Sequence, residues 1–426
     1  MLAQLSIRER YAQLGAEPVG STPEAFWNFV RAQIEKWTKV VRAAGINRNN
    51  RDSEMTRRFA AAAVALATLA ACATPPGGSV AEPQTGYFFV GGQYVEGKTG
   101  PLMQGQMYVE YQMPARRTQP YPIVMIHGAA QTGTNFTGTP DGRKGWAQYF
   151  VEQGYVIYVV DQPGRGRSPY NDSMGPLTRF PSSQIERRFT AQEKFNLWPQ
   201  AKLHTQWPGE GPNKGQRGDA VFDQFYASQV QYIASNATTQ QLNRDAGAAL
   251  LDRIGPAIVL THSQSGAIGW PIADARPKLV KAIVAAEPSG PPFANAVFDE
   301  TPARAWGVTD IPMTYDPPVN DAKDLVIVRE EKADGPNLER CRLQGAPVRR
   351  LVNLTAVPVL IFASESSYHA AYDHCTSKYL EQAGVKNTYV RLENVGIRGN
   401  GHMVMIEKNN LEIAAFIDQW IRQNVR

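Results

Sequence analysis

From about residue 86 onward the chain alternates between two hydrophobic periods. Residues 87–95 and 107–112 read as two strands with a glycine-rich turn between them. Predominantly apolar runs then follow at 121–126, 155–161, 257–261, 280–286, 357–362 and 388–392, separated by helical spacing at 144–154, 267–275 and 373–383. A last amphipathic helix carries Leu411, Ile413, Ala414, Ile417 and Ile421. Apolar strands between helices predict an α/β protein with a mostly parallel sheet covered on both faces. Functional residues then belong at the carboxyl ends of the strands. Two stretches, about 168–237 and 291–350, break this rhythm. The first is rich in aromatics (Phe189, Trp198, Trp207, Phe222, Phe225, Tyr226), and segments of that length usually form layers of their own. Both are expected to lie as lids over the strand ends of one domain spanning 87–426.

Two segments of another kind come first. Met55-Thr56-Arg57-Arg58 precedes an uncharged run at 59–71, then Cys72 and Ala73-Thr74-Pro75-Pro76-Gly77-Gly78. A basic start, an apolar centre and small residues before a cut make a secretory signal peptide. The apolar run is shorter than the roughly 20 residues a membrane-crossing helix needs. Leu69-Ala70-Ala71-Cys72 resembles a bacterial lipobox, which implies lipidation of Cys72 and a tether over 72–86. Ala73 beside it implies onward transport to the outer membrane. Upstream, Ser21-Thr22-Pro23-Glu24 is a helix start, and Phe26, Val30, Ile34, Trp37 and Val41 recur at helical spacing. Together with Gly15-Ala16-Glu17-Pro18 and the run from Lys36 to Ile46, this resembles the C-terminal end of the periplasmic solute-binding proteins of tripartite tricarboxylate transporters. One amphipathic helix cannot bury its stripe alone. Residues 1–54 are therefore expected to be a non-native upstream extension, the functional product beginning at Met55.

This division changes the meaning of the charge. The 426 residues are 43% hydrophobic, which excludes disorder as the dominant state, and the formal net charge is +5. Ten of 44 Lys/Arg but only six of 39 Asp/Glu precede Cys72, so four of those five charges belong to the front end. The nearly neutral body gives no reason to expect nucleic acid as a partner. Membrane contact is expected only through the lipid anchor. Oligomeric state is left open.

Leu260-Thr261-His262-Ser263-Gln264-Ser265-Gly266 follows a strand and opens a helix. That is the setting of a nucleophile elbow, where a sharp turn holds a serine hydroxyl out of the helix and flanking residues must be small. Thr261 and Ser265 stand where glycine is usual, so the motif is relaxed; Ser263 as a plain helix cap is the alternative. A serine there disfavours chemistry that needs a carboxylate nucleophile. His127-Gly128-Ala129-Ala130-Gln131 ends an earlier strand and lets the backbone approach closely. The Ala129 and Gln264 amides are the expected oxyanion donors, each worth roughly 3 kcal/mol. Three of six histidines follow Ser263, and His402, on the loop Gly399-Asn400-Gly401-His402-Met403, is the expected base, ahead of His369 and His374. Two acids, Glu287 and Glu365, end strands after Ser263, and either could orient the imidazole. The run Gly164-Arg165-Gly166-Arg167 lacks a phosphate-loop pattern and reads as a loop that braces the site.

Several motifs now add up to a resemblance. These are the run from Gly133 to Arg143, Asp161-Gln162-Pro163-Gly164-Arg165-Gly166-Arg167-Ser168, Glu287-Pro288-Ser289-Gly290 and the loop at His402. From Tyr87 onward the chain resembles an unusual bacterial and fungal branch of the α/β-hydrolase esterases. That branch places its acid after the strand following the nucleophile, which implies Glu287. The implied activity is a serine esterase with the triad Ser263, His402 and Glu287, a small-molecule ester as substrate, and no cofactor or metal. An amidase or lactonase would use the same machinery, and a non-catalytic lipid-anchored binding protein is the alternative of another class. Export permits a disulfide between Cys341 and Cys375, the two cysteines that remain.

Overall fold

The computed structural model describes residues 84–98 and 100–425, with the isolated positions Thr22, Asn28 and Arg31. Apart from those three positions, the expected extension, the signal peptide, Cys72 and most of the tether thus lie outside the described residues. The chain divides into two units, Met1–Ser79 and Val80–Arg426, and the second holds the sheet, its two cores and the site.

Eight strands form one sheet: β1 (Gln84–Gly97), β2 (Gly100–Met113), β3 (Ile123–Ile126), β4 (Ile157–Asp161), β5 (Ala257–His262), β6 (Val280–Ala286), β7 (Val359–Ala363) and β8 (Asn387–Arg391). Their spatial order is β1-β2-β4-β3-β5-β6-β7-β8. β1 and β2 pair antiparallel with each other, β2 pairs antiparallel with β4, and the remaining neighbours run parallel.

The apolar runs have no polar face because both faces are buried. Along β5, Val259 enters one core with Val124, Ile283 and Ile361, while Ile258 and Leu260 enter the other with Ile123, Val284 and Phe362. The first core is covered by α3 (Asn236–Ile254) through Leu250 and Leu251 and by α4 (Gly266–Ala275) through Ile268 and Ile272. The second is covered by α1 (Trp146–Glu152) through Trp146 and Phe150 and by α6 (Asn410–Asn424) through Ile413, Ile417 and Ile421.

Two local features differ from the pattern reading. The glycine-rich segment expected as a turn is strand: the chain reverses between Gly97 and Gly100, and the register omits only Gly92 and Gly105 within a long ribbon. The helix α3 carries no strong apolar period, because the side it buries includes the polar Thr239, Gln240 and Asn243 and the small Ala246, Gly247 and Ala248 besides Leu250 and Leu251. It is announced only by its cap, Ser235, whose side chain accepts from Thr238 N–H.

Between β4 and α3 the chain builds short helices, including α2 (Ala220–Ala227), and a two-stranded pairing of Leu177–Thr178 with Tyr232–Ile233. Between β6 and β7 it builds two further small pairings. Cys341, in the latter segment, is joined by a disulfide to Cys375 on α5 (Asp373–Gln382), 34 residues along the chain. Closing a loop of that size stabilises by roughly 3 to 4 kcal/mol in the chain-entropy account. A Cys341→Ala/Cys375→Ala variant is expected to lose about 3 kcal/mol in urea unfolding; an unchanged midpoint would show that the bond contributes nothing.

Candidate active site

Ser263 comes directly after β5 with φ at 56°, a conformation that costs a non-glycine residue about 1–3 kcal/mol. The turn is held from three sides. The Ser265 hydroxyl accepts from His262 N–H at 2.8 Å and donates to the Ile126 carbonyl at 2.6 Å, while Ser289 N–H donates to the Ser263 carbonyl at 2.9 Å. Ser265, a departure from the usual glycine, is therefore a clamp. The other departure, Thr261, is accommodated by Gly269, where a Cβ would stand 2.9 Å from the Thr261 methyl.

His402 Nε2 lies 2.9 Å from Ser263 Oγ, and its Nδ1 lies 2.5 Å from Glu287 Oε2. Glu287 follows β6 with φ at 46°. It also accepts from Ser364 N–H and from the Ser367 hydroxyl, each at 2.7 Å. Burial pushes its carboxyl up, opposed by these donors and the neighbouring His369. Burial, together with His369, holds His402 well below the ordinary histidine range, so the imidazole is neutral at rest and free to accept a proton. Glu365 lies elsewhere: it binds Arg398 Nη1 at 2.7 Å and Gly399 N–H at 2.8 Å, bracing the loop that carries His402.

The loop after β3 passes close to the elbow: a Cβ on Gly128 would stand 3.1 Å from Ser263 Cβ. Ala129 and Gln264 both line the cleft that Ser263 and His402 face. Arg165 ties their two loops together, donating from Nη1 to the Gly128 carbonyl at 2.9 Å and from Nη2 to Gln264 Oε1 at 2.5 Å. Burial lowers its guanidinium to about 9, leaving it charged at neutral pH. His127 is held neutral, at about 3, by burial and by Arg165. Its Nδ1–H donates to the Gly128 carbonyl, and its Nε2 accepts from Gln162 N–H.

Three histidine contacts carry no signal in the sequence. His262 donates Nε2–H to the His402 carbonyl at 2.9 Å, linking the elbow to the base loop. His369, an alternative base by its place in the chain, instead stacks on His402 with ring centroids 4.7 Å apart and planes within 8°. Its Nδ1 is bound to the buried Asp373 at 2.9 Å. His374 lies further out, with Nε2 3.2 Å from the Glu339 carbonyl.

His204 is a further such case. It bridges Glu193 at 2.9 Å and Glu407 at 2.8 Å, and Glu407 in turn accepts from Gly401 N–H and Asn400 Nδ2 beside His402. No local pattern announces it, since Glu407 is 203 residues away. Burial opposes the charged form, but the two carboxylates outweigh it and raise His204 to about 9. A raised folded-state value means stabilisation that is fully present below the unfolded value near 6.5 and lost as pH rises through about 9. About 3 kcal/mol is at stake. The wild type is expected to lose this between pH 6.5 and 9 while His204→Gln does not; parallel denaturation curves of the two across that range would refute the bridge.

The sheet order and the site define a hydrolase of the α/β class. The profile of the alpha/beta hydrolase family matches residues 123–416, and the chain belongs to that family. It is 49% identical over 340 residues to a protein described as probable secreted lipase phiG from Fungal sp. (strain ATCC 74256), covering 80% of this chain and 90% of that one. Among solved structures it is similar to one described as a novel bacterial esterase, with 26% identity and a TM-score of 0.54, covering 84% of this chain and all of that one.

Proposed function

We propose that this hydrolase cleaves carboxylic esters through a serine acyl-enzyme. The observation that carries the reading is the continuous line from Ser263 Oγ through His402 to Glu287, with bonds of 2.9 and 2.5 Å, in the chain order serine, acid, histidine. The names of the two relatives, a lipase and an esterase, support ester over amide.

His402 Nε2 takes the Ser263 proton as Oγ attacks the ester carbonyl. Glu287 fixes the tautomer that carries hydrogen on Nδ1 and stabilises the imidazolium as it forms. The Ala129 and Gln264 amides stabilise the carbonyl oxygen as it becomes negative. When the tetrahedral intermediate collapses, the C–O bond to the alcohol breaks and His402 returns its proton to the leaving oxygen. Water, activated by the same imidazole, then adds to the acyl-enzyme and frees the acid and Ser263.

The segments at 168–237 and 291–350 act as lids: Phe189 and Phe298, one from each, line the cleft. The protein is exported, begins at Met55 before cleavage, and is anchored through lipid on Cys72 in the periplasm or outer membrane. The word "secreted" in the relative's name supports export. A fluorophosphonate probe tests the mechanism: it should label the wild type at Ser263, and an unlabelled wild type would overturn it. Intact mass of the natively expressed protein tests the processing, and a mature product retaining residues 1–54 would refute it.

A further inference from the structure

The ester reading leaves the acid or alcohol unspecified, and the wall of the cleft carries information about it. The cavity above Ser263 has a volume of about 340 Å³. Its walls carry the aromatics Phe180, Phe189, Tyr232 and Tyr368 among polar side chains such as Gln131, Asn236 and Asn295. Two guanidinium groups break that surface, Arg188 and Arg304.

Arg304 is structural as well as cationic: it donates to the Pro291 and Ala294 carbonyls, and Asp310 and Asp299 offset part of its charge. Arg188 is the freer of the two. Its guanidinium carbon lies 3.9 Å from the centre of the Phe298 ring, and among the described residues it has no carboxylate within ion-pair distance. With Phe298 it forms the wall shared with a neighbouring cavity, which Arg187 also lines. Asp299, the single carboxylate among the lining residues, accepts from Thr301 N–H and Asn295 Nδ2 through Oδ1 and feels the Arg188 charge from beyond ion-pair distance. The lining histidines are neutral: His402 is held down by burial and His369 lies at about 4 for the same reason. The charged side chains along this wall are thus two arginines and one aspartate.

A cation stacked on an aromatic ring, with its planar fork unmatched, is a receptor for a carboxylate. One planar guanidinium fork matches one carboxylate. We propose that the preferred substrates are esters that carry a free carboxylate, such as half-esters of dicarboxylic acids, and that Arg188 is the residue that selects them. The proposal rests on the ester hydrolase reading and deepens it.

The test compares p-nitrophenyl hydrogen glutarate with its neutral methyl diester analogue, as the ratio of their kcat/KM values in one preparation, so that the active fraction cancels. The expected ratio favours the anion by about tenfold or more, the scale of one charge-assisted contact. Arg188→Met, which preserves length and apolar stacking, is expected to bring the ratio near one. In the unaltered enzyme the ratio should fall as ionic strength rises, because screening weakens an attraction to a half-exposed cation. A wild-type ratio near or below one overturns the proposal while leaving ester hydrolysis intact, as does a ratio that neither salt nor Arg188→Met changes. Hydrolysis of neither ester overturns the underlying reading, and this proposal with it.

Discussion

Ser263→Ala is expected to lower kcat/KM toward a p-nitrophenyl ester by at least about 10⁴-fold, the scale seen when a serine nucleophile is removed and only binding and oxyanion stabilisation remain. The fold should tolerate the change. Ser263 Oγ makes its hydrogen bond to His402, whereas the elbow is held by Ser265 and Ser289 through groups that alanine leaves untouched. Initial rates and circular dichroism on the same preparation check both halves of the statement. Retention of more than a tenth of wild-type activity in a folded variant would exclude Ser263 as nucleophile and, with it, the acyl-enzyme.

The second large effect separates two glutamates that end neighbouring strands. Glu287→Gln should reduce kcat by about 10³ to 10⁴, because an amide at that place no longer enforces the tautomer or stabilises the imidazolium. Glu365→Gln should cost less than about tenfold, since its partners are Arg398 and the Gly399 N–H and a partly exposed pair is worth roughly 1 kcal/mol. The two variants measured side by side, at a pH where His402 is neutral, decide the matter. A larger loss at Glu365 would reverse the assignment. Glu287→Gln keeps one oxygen for Ser364 N–H, and its amide nitrogen can donate to the Ser367 hydroxyl once that rotates, so any loss of stability should be smaller than the loss of rate.

Parts of the candidate site differ in how openly the chain displays them. Ser263 is framed by neighbours in sequence: a strand before it, a helix after it and small residues at the turn. His402 stands in a short glycine-bearing loop. Both are local signals, set by backbone geometry that a few adjacent residues control. The acid has no such signal, because Glu287 and Glu365 occupy equivalent ends of adjacent parallel strands, and resemblance alone favoured one of them. In the fold, Phe362 pairs with Ala286, so the two strands end side by side. Glu287 then turns toward the imidazole with a positive φ, while Glu365 lies two residues beyond β7 and reaches Arg398.

The supporting residues were less legible still. Arg165 could be assigned to a bracing loop, but not to the two carbonyl oxygens it bridges. Nothing near His204 or Arg188 in sequence marks either of them, since the groups they face come from other segments. Long polar and aromatic stretches carry no period, and their conformation is fixed by what they pack against.

The sequence by itself determined the alternation of strand and helix and marked out Ser263 and His402 as the candidate nucleophile and base. Each of these is written in local periodicity or local turn chemistry, which the backbone reads over a few residues. Tertiary structure alone decided which carboxylate meets His402, how Arg165 joins the two backbone loops, and that Arg188 stacks on Phe298 in the cleft with no carboxylate at ion-pair distance among the described residues. Those contacts join side chains tens to hundreds of residues apart, and only the packing of the sheet and its insertions brings them within hydrogen-bond distance.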